Sequence, residues 1–181
     1  MAVILVDDAN DQSLPEYRIG KAMQTCIYPG IRQCFAIAGR RQSFMICTHV
    51  SPGATAEDIS ETFEHMRALG GTWVSSWYVV GPFAEHFGTP NAQWKSVQDI
   101  RNRFKEKFRD ASADHWILDV SAQRNRKMVL EGMTLAATTG YLNIKAERET
   151  DGNGIDFSYK GDIGPYKNTW SPLYSGSFSR F

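Results

Sequence analysis

Long apolar runs are missing from this 181-residue chain. The first uninterrupted one, residues 2–6, stops at Asp7 and Asp8, far short of a secretory core or a membrane span. Neither a membrane partner nor a cleaved leader is expected. A surplus of charge is missing too: 20 Lys and Arg stand against 20 Asp and Glu. No global field then draws nucleic acid or anionic lipid, which bind by displacing counterions from a basic surface. Cysteine is scarce. Cys26, Cys34 and Cys47 form no C-x-x-C pair, and an odd count argues against a disulfide framework. The expected setting is the reducing cytoplasm, or export by a route that uses no cleaved signal, such as injection as an effector.

Several catalytic signatures are absent as well. The sequence holds no G-x-x-x-x-G-K-[ST], no G-x-G-x-x-G after a strand, no H-E-x-x-H and no G-x-S-x-G. No metal is expected, because His49, His65, His86 and His115 are scattered and Cys47-x-His49 offers two ligands where structural zinc takes four. No cofactor is expected either.

What is present reads as one α+β domain over residues 1–160, a mixed and mostly antiparallel sheet with helices packed on it, followed by an aromatic, Gly/Ser/Pro-rich tail over 161–181 packed back on it. A chain of this length buries roughly 70% of its unfolded surface, enough for a core without staples. Residues 22–50 read as strands, with a turn at Pro29-Gly30 and a hairpin across Gly39-Arg40-Arg41-Gln42. If Gly39 faces Gln42, then Phe35 faces Ile46 and Ile37 faces Phe44, so one face is bulky and apolar. The other face carries Cys34, Ala36, Met45, Cys47 and His49. Thr55 with Asp58 resembles a capping box, and Ile59, Phe63 and Met66 form one stripe ahead of Gly70-Gly71, which predicts a helix over 55–69. Further strands are expected over 72–80, 115–120, 141–149 and 155–160, the last two joined by Asp151-Gly152-Asn153-Gly154. Helices are expected around residues 94–108 and 121–140.

The constellation with chemical content is Cys34 with His49. On adjacent strands, diagonally offset, their Cβ atoms lie about 7 Å apart or less. A thiol attacking a carbonyl needs an adjacent base, and an imidazole supplies one and later protonates the leaving group. The same pattern also fits small core filling by Cys34 with His49 at a strand end.

A cysteine at the end of one strand in Gln33-Cys34-Phe35, Thr48-His49-Val50 a short hairpin later, then Pro52-Gly53 and a helix ending in Leu-Gly-Gly, resembles the chemoreceptor glutamine deamidase CheD. It is also similar to the catalytic domain of cytotoxic necrotising factor toxins. The resemblance spans residues 27–149 as topology and spacing, with Arg124-Asn125 also similar to CheD. Arg32 and Gln33 stand where that family carries a small Gly or Ser. The resemblance implies a bacterial cysteine amidohydrolase, housekeeping or effector, that converts a protein glutamine to glutamate through a thioester. Its third member is unassigned, with Tyr28, Thr25 or a backbone carbonyl as candidates.

Other residues point to a protein partner. Arg40 and Arg41 at the hairpin tip, together with Arg32 on the strand, would dock an acidic surface, and Trp170 and Tyr174 would present exposed aromatics from the tail. The rival reading is a non-catalytic adaptor or immunity-type binding module on the same scaffold. A third, a small-ligand domain, would place a deep apolar pocket between the strand bearing Trp73, Trp77 and Tyr78 and its helices.

Overall fold

The structure is a computed structural model. It describes residues 3–6, 9, 13–108, 113–121, 141–152, 154–161, 169–173 and, as backbone, 178–180. The expected helix over 121–140, with Arg124-Asn125, lies almost wholly outside these residues, as does Tyr174.

In chain order the elements are β1 (Ile4–Val6), β2 (Arg18–Ala22), β3 (Thr25–Ile31), β4 (Phe35–Arg40), β5 (Met45–Val50), α1 (Ala56–Ala68), β6 (Ser76–Gly81), α2 (Phe83–Phe87), α3 (Val97–Lys107), β7 (Asp114–Asp119), β8 (Leu142–Arg148), β9 (Ile155–Gly161), β10 (Ser171–Leu173) and β11 (Phe178–Arg180). The fold is α+β, as its sequence predicts, but the strands divide into two sheets instead of one. One sheet has the order β1-β2-β5-β4-β6-β7-β11 and the other β10-β9-β8-β3. Both are mostly antiparallel, with β1-β2 and β6-β7 the parallel pairs.

Three layers result. Phe35, Ile37, Ile46 and Val50 of the large sheet pack with Ile59, Phe63 and Met66 of α1 and with Ile100 and Phe104 of α3. The opposite face of the same sheet, with Cys34, Ala36, Ala38, Met45 and Cys47, packs on Cys26, Tyr28, Ile144 and Phe157 of the small sheet. Covered on both sides, β4 and β5 are buried at every position.

Local chemistry explains the elements that matter for the site. Helix α1 begins where Thr55 accepts from the Asp58 N–H and the Asp58 carboxylate accepts from the Thr55 N–H at 2.9 Å, the reciprocal cap its sequence predicts. The β4-β5 hairpin departs from expectation. Phe35 faces Val50 and Gly39 faces Ile46, because the reversal takes residues 41–44, closed by Arg41 N–H donating to the Phe44 carbonyl at 2.9 Å. The pairing is displaced by four residues, an even number, so each side chain keeps its expected face. Pro29-Gly30 makes no turn either. It forms an irregularity within β3, where the register against β8 shifts between Tyr28 and Ile31 and Gly30 takes φ +66°, a conformation open to glycine. The chain turns instead at residues 32–34.

Among the described residues no helix is long and apolar enough to cross a membrane. From the tail, β10 pairs with β9 and β11 with β7.

Candidate active site

Cys34 sits just before β4 and His49 on β5, diagonal to one another across the Ala36-His49 pair. Both are buried, at 4% and 1% exposure. A third side chain joins them from the segment between β1 and β2. The sulfur of Cys34, a carboxylate oxygen of Glu16 and a ring nitrogen of His49 all lie within 4.8 Å of one another. Of the three, Glu16 alone is exposed.

Residues 13–17 are fastened over the site by the strands on either side. Leu14 N–H donates to the Ile27 carbonyl of β3 and Tyr17 N–H to the His49 carbonyl of β5. Tyr17, next to Glu16, has φ 62°, a left-handed conformation that a bulky side chain adopts only where surrounding bonds impose it. The crossing delivers two groups to the site. Glu16 Oε1 accepts from the Cys34 thiol at 3.1 Å, and the Leu14 carbonyl stands 2.9 Å from His49 Nδ1.

The second contact decides the tautomer. A carbonyl can only accept, so Nδ1 carries the proton and the neutral ring leaves its Nε2 lone pair free. His49 Nε2 is buried with no hydrogen-bond partner among the described residues, a condition that costs roughly 1–3 kcal/mol and marks the group for attention. Burial lowers the His49 pKa, outweighing the Leu14 carbonyl and the Glu16 carboxylate, which raise it. Its resting form is the neutral base. Cys34 moves the other way: burial first, then the Glu16 carboxylate, push the thiol far above its ordinary range, while the Gln33 and Arg32 backbone groups pull it back slightly. The resting sulfur is a thiol held on Glu16, not a thiolate held on His49.

The segment before Cys34 is gripped from the other side. His86 of α2, 2% exposed, holds the Gln33 carbonyl at 2.6 Å through Nδ1 and stacks on Phe35 at 3.8 Å. Gly81 ends β6 where an added Cβ would come within 2.6 Å of the Cys34 carbonyl. The nucleophile candidate is thus seated on a fixed backbone.

The remaining expected residues are dispersed. Tyr28 packs edge-on against the His49 ring at 6.2 Å but gives its hydroxyl to the Ile37 carbonyl at 2.9 Å, so it walls the site and does not orient the imidazole. Thr25 pairs with Glu147 three residues down β3, and the Leu14 carbonyl takes the orienting place. Arg40 is no exposed hairpin tip. It is buried at 4% and its Nη2 donates to the Glu149 and Gly152 carbonyls at 3.3 and 3.1 Å, because the longer reversal leaves it inside β4 on the inter-sheet side. Arg41 donates to the Gly70 carbonyl behind α1 at 3.0 Å. Arg32 lies over the Tyr141 ring at 5.9 Å. Trp170 lies beneath Lys145 and Lys160, at 5.1 and 4.7 Å. The three arginines and Trp170 therefore do not form one docking patch.

Nor do the strand aromatics line one cleft. Trp77 is in the helix-side core, Trp73 is 77% exposed and Tyr78 faces the small sheet. A cavity of about 210 Å³ lies between the sheets, walled by Tyr78, Trp116, Phe157, Leu173, Glu149 and Asp156. Glu149 places it at the Arg40 end of β4, roughly 20 Å along the strand from Cys34. Comparison of the chain with protein-family models, with curated proteins and with solved structures returns no match.

Proposed function

We propose that the protein is a cysteine-dependent amidohydrolase that deamidates a glutamine side chain on a protein substrate, with Cys34 as nucleophile and His49 as general base. The observation that carries this reading is the His49 ring, whose tautomer the Leu14 carbonyl fixes, whose Nε2 is buried with no hydrogen-bond partner among the described residues, and which shares a cluster with a thiol. A neutral imidazole with a free lone pair is the form of histidine that accepts a proton.

The thiol proton would pass to His49 as sulfur attacks the amide carbon, so no standing thiolate is required. The tetrahedral oxyanion would draw on backbone N–H groups beside Cys34. His49 would then protonate departing ammonia and activate the water that hydrolyses the thioester, leaving glutamate. This is the chemistry that the resemblance to CheD implies. The burial of Cys34 favours a second reading, a protein-binding module in which the cysteine only fills space.

The test is ammonia release and Gln-to-Glu mass gain across a panel of glutamine-bearing proteins, for wild type, Cys34→Ser and His49→Ala. Turnover by wild type, with a loss on the order of 10²-fold or more in both variants, supports the amidohydrolase. Turnover indifferent to His49 sinks it. No turnover by any form, together with stable capture of a protein by both wild type and Cys34→Ser, selects the binding module.

A further inference from the structure

Glu16, Cys34 and His49 present one carboxylate oxygen, one sulfur and one imidazole nitrogen within 4.8 Å of each other. Around a tetrahedral zinc, such atoms stand about 3.3–3.7 Å apart, given metal bonds of roughly 2.0–2.3 Å. Side-chain adjustments of about 1 Å or less would bring the three onto one ion. The histidine already has the arrangement that metal ligands adopt, one ring nitrogen donating to a backbone carbonyl and the other with no hydrogen-bond partner among the described residues. The charges also match: a thiolate and a carboxylate together balance a dication, so the buried site would become neutral when filled.

We infer that Glu16, Cys34 and His49 form a three-ligand site for a divalent cation of the zinc type, open at its fourth position. Sulfur and imidazole select zinc or cobalt over magnesium and calcium, which prefer oxygen. Binding breaks the Cys34 S–H bond and forms an S–metal bond, and the proton leaves to solvent past Glu16, the exposed ligand. No oxidant or reductant is involved. Glu16 exchanges a thiol hydrogen bond for a metal bond, and His49 Nε2 gains a partner that the described residues do not supply.

The inference uses the side chains of the proposed amidohydrolase but none of its chemistry. Where both hold, they exclude one another in time, since a metal-bound sulfur is not free to attack an amide. Zinc would then be a reversible lock on Cys34.

The test titrates cobalt(II) into the metal-free, reduced full chain under argon. One equivalent should produce thiolate-to-cobalt absorption in the near ultraviolet, and one equivalent of zinc should remove it. The band should vanish in Cys34→Ser, and Glu16→Gln should weaken the metal about tenfold or more, the least that losing even an outer contact to a ligand costs. Zinc should also slow alkylation of Cys34 in wild-type protein at alkaline pH at least tenfold, a readout that needs no variant and reverses with chelator. Absence of the band, its persistence in Cys34→Ser, or alkylation of Cys34 unchanged by zinc would each overturn the site. Ammonia release by the metal-free chain is measured separately, so failure of the metal site leaves the catalytic reading standing, and failure of catalysis leaves the metal site standing.

Discussion

Glu16 places a carboxylate against a thiol that burial already keeps protonated. A like charge beside the sulfur disfavours the thiolate, so neutralising Glu16 must make Cys34 easier to ionise. Glu16→Gln is expected to move the pH at which Cys34 becomes alkylated downward, with rates at a fixed alkaline pH rising several-fold, as read by mass spectrometry on native protein. An unchanged profile would assign the whole effect to burial. At this scale the sequence shows half of the site. Cys34 and His49 share a face through strict alternation along two strands, and alternation survives an even displacement of the pairing. Glu16 and the Leu14 carbonyl follow no period. They arrive through backbone bonds to Ile27 and His49, residues distant in the chain, which no local pattern encodes.

Helix α2 is five residues long, too short to show a periodicity, and sequence reading passes over it despite Pro82 at its start. Its His86 nonetheless holds the backbone of the Cys34 segment. Burial, the largest cause, lowers the His86 pKa to about 4, with the Gln33 carbonyl pulling upward and Lys95 downward. The unfolded value is about 6.5. Because the folded state resists the proton, the unfolded state binds more of it below pH 6.5, and stability falls as pH drops from about 6.5 towards about 4. This one group is expected to cost roughly 2 kcal/mol by about pH 5, and His49, also lowered, adds in the same direction. Urea unfolding at neutral and mildly acid pH checks it: His86→Gln should lose that share of the acid sensitivity, and an undiminished sensitivity would mean that His86 is not held neutral. The β4-β5 hairpin carries a second element-scale prediction. A Cβ at Gly39 would come within 2.3 Å of the Trp77 ring, so Gly39→Ala is expected to destabilise by about 1–3 kcal/mol in the same assay. Near-native stability would show that Trp77 has room to move. The capping box of α1 and the β8-β9 hairpin were legible because their determinants sit a few residues apart. The β4-β5 register was not, because a four-residue reversal and a two-residue one suit the same alternation.

At the scale of the molecule, the run Phe35-Ala36-Ile37-Ala38, apolar at successive positions, signals a strand covered on both faces. It does not say by what. Helices on one side and a second sheet on the other satisfy it equally with helices on both, and only the long-range pairing of β3 with β8 separates these cases. The tail bears on the same question, since residues 161–181 supply an edge strand to each sheet, β10 against β9 and β11 against β7. A chain ended after residue 170 would uncover the backbone edges of β7 and β9 and lose Leu173, which is 6% exposed. Burial of one leucine is worth roughly 1.5–3 kcal/mol, and unpaired strand edges template association between copies. The truncated chain is therefore expected to melt several degrees lower and to show concentration-dependent oligomers by light scattering where the full chain at equal concentration shows fewer. A truncated chain with unchanged melting and no added association would mean that the two sheets close without the tail, and that β10 and β11 only lie along edges already protected by twist and charge.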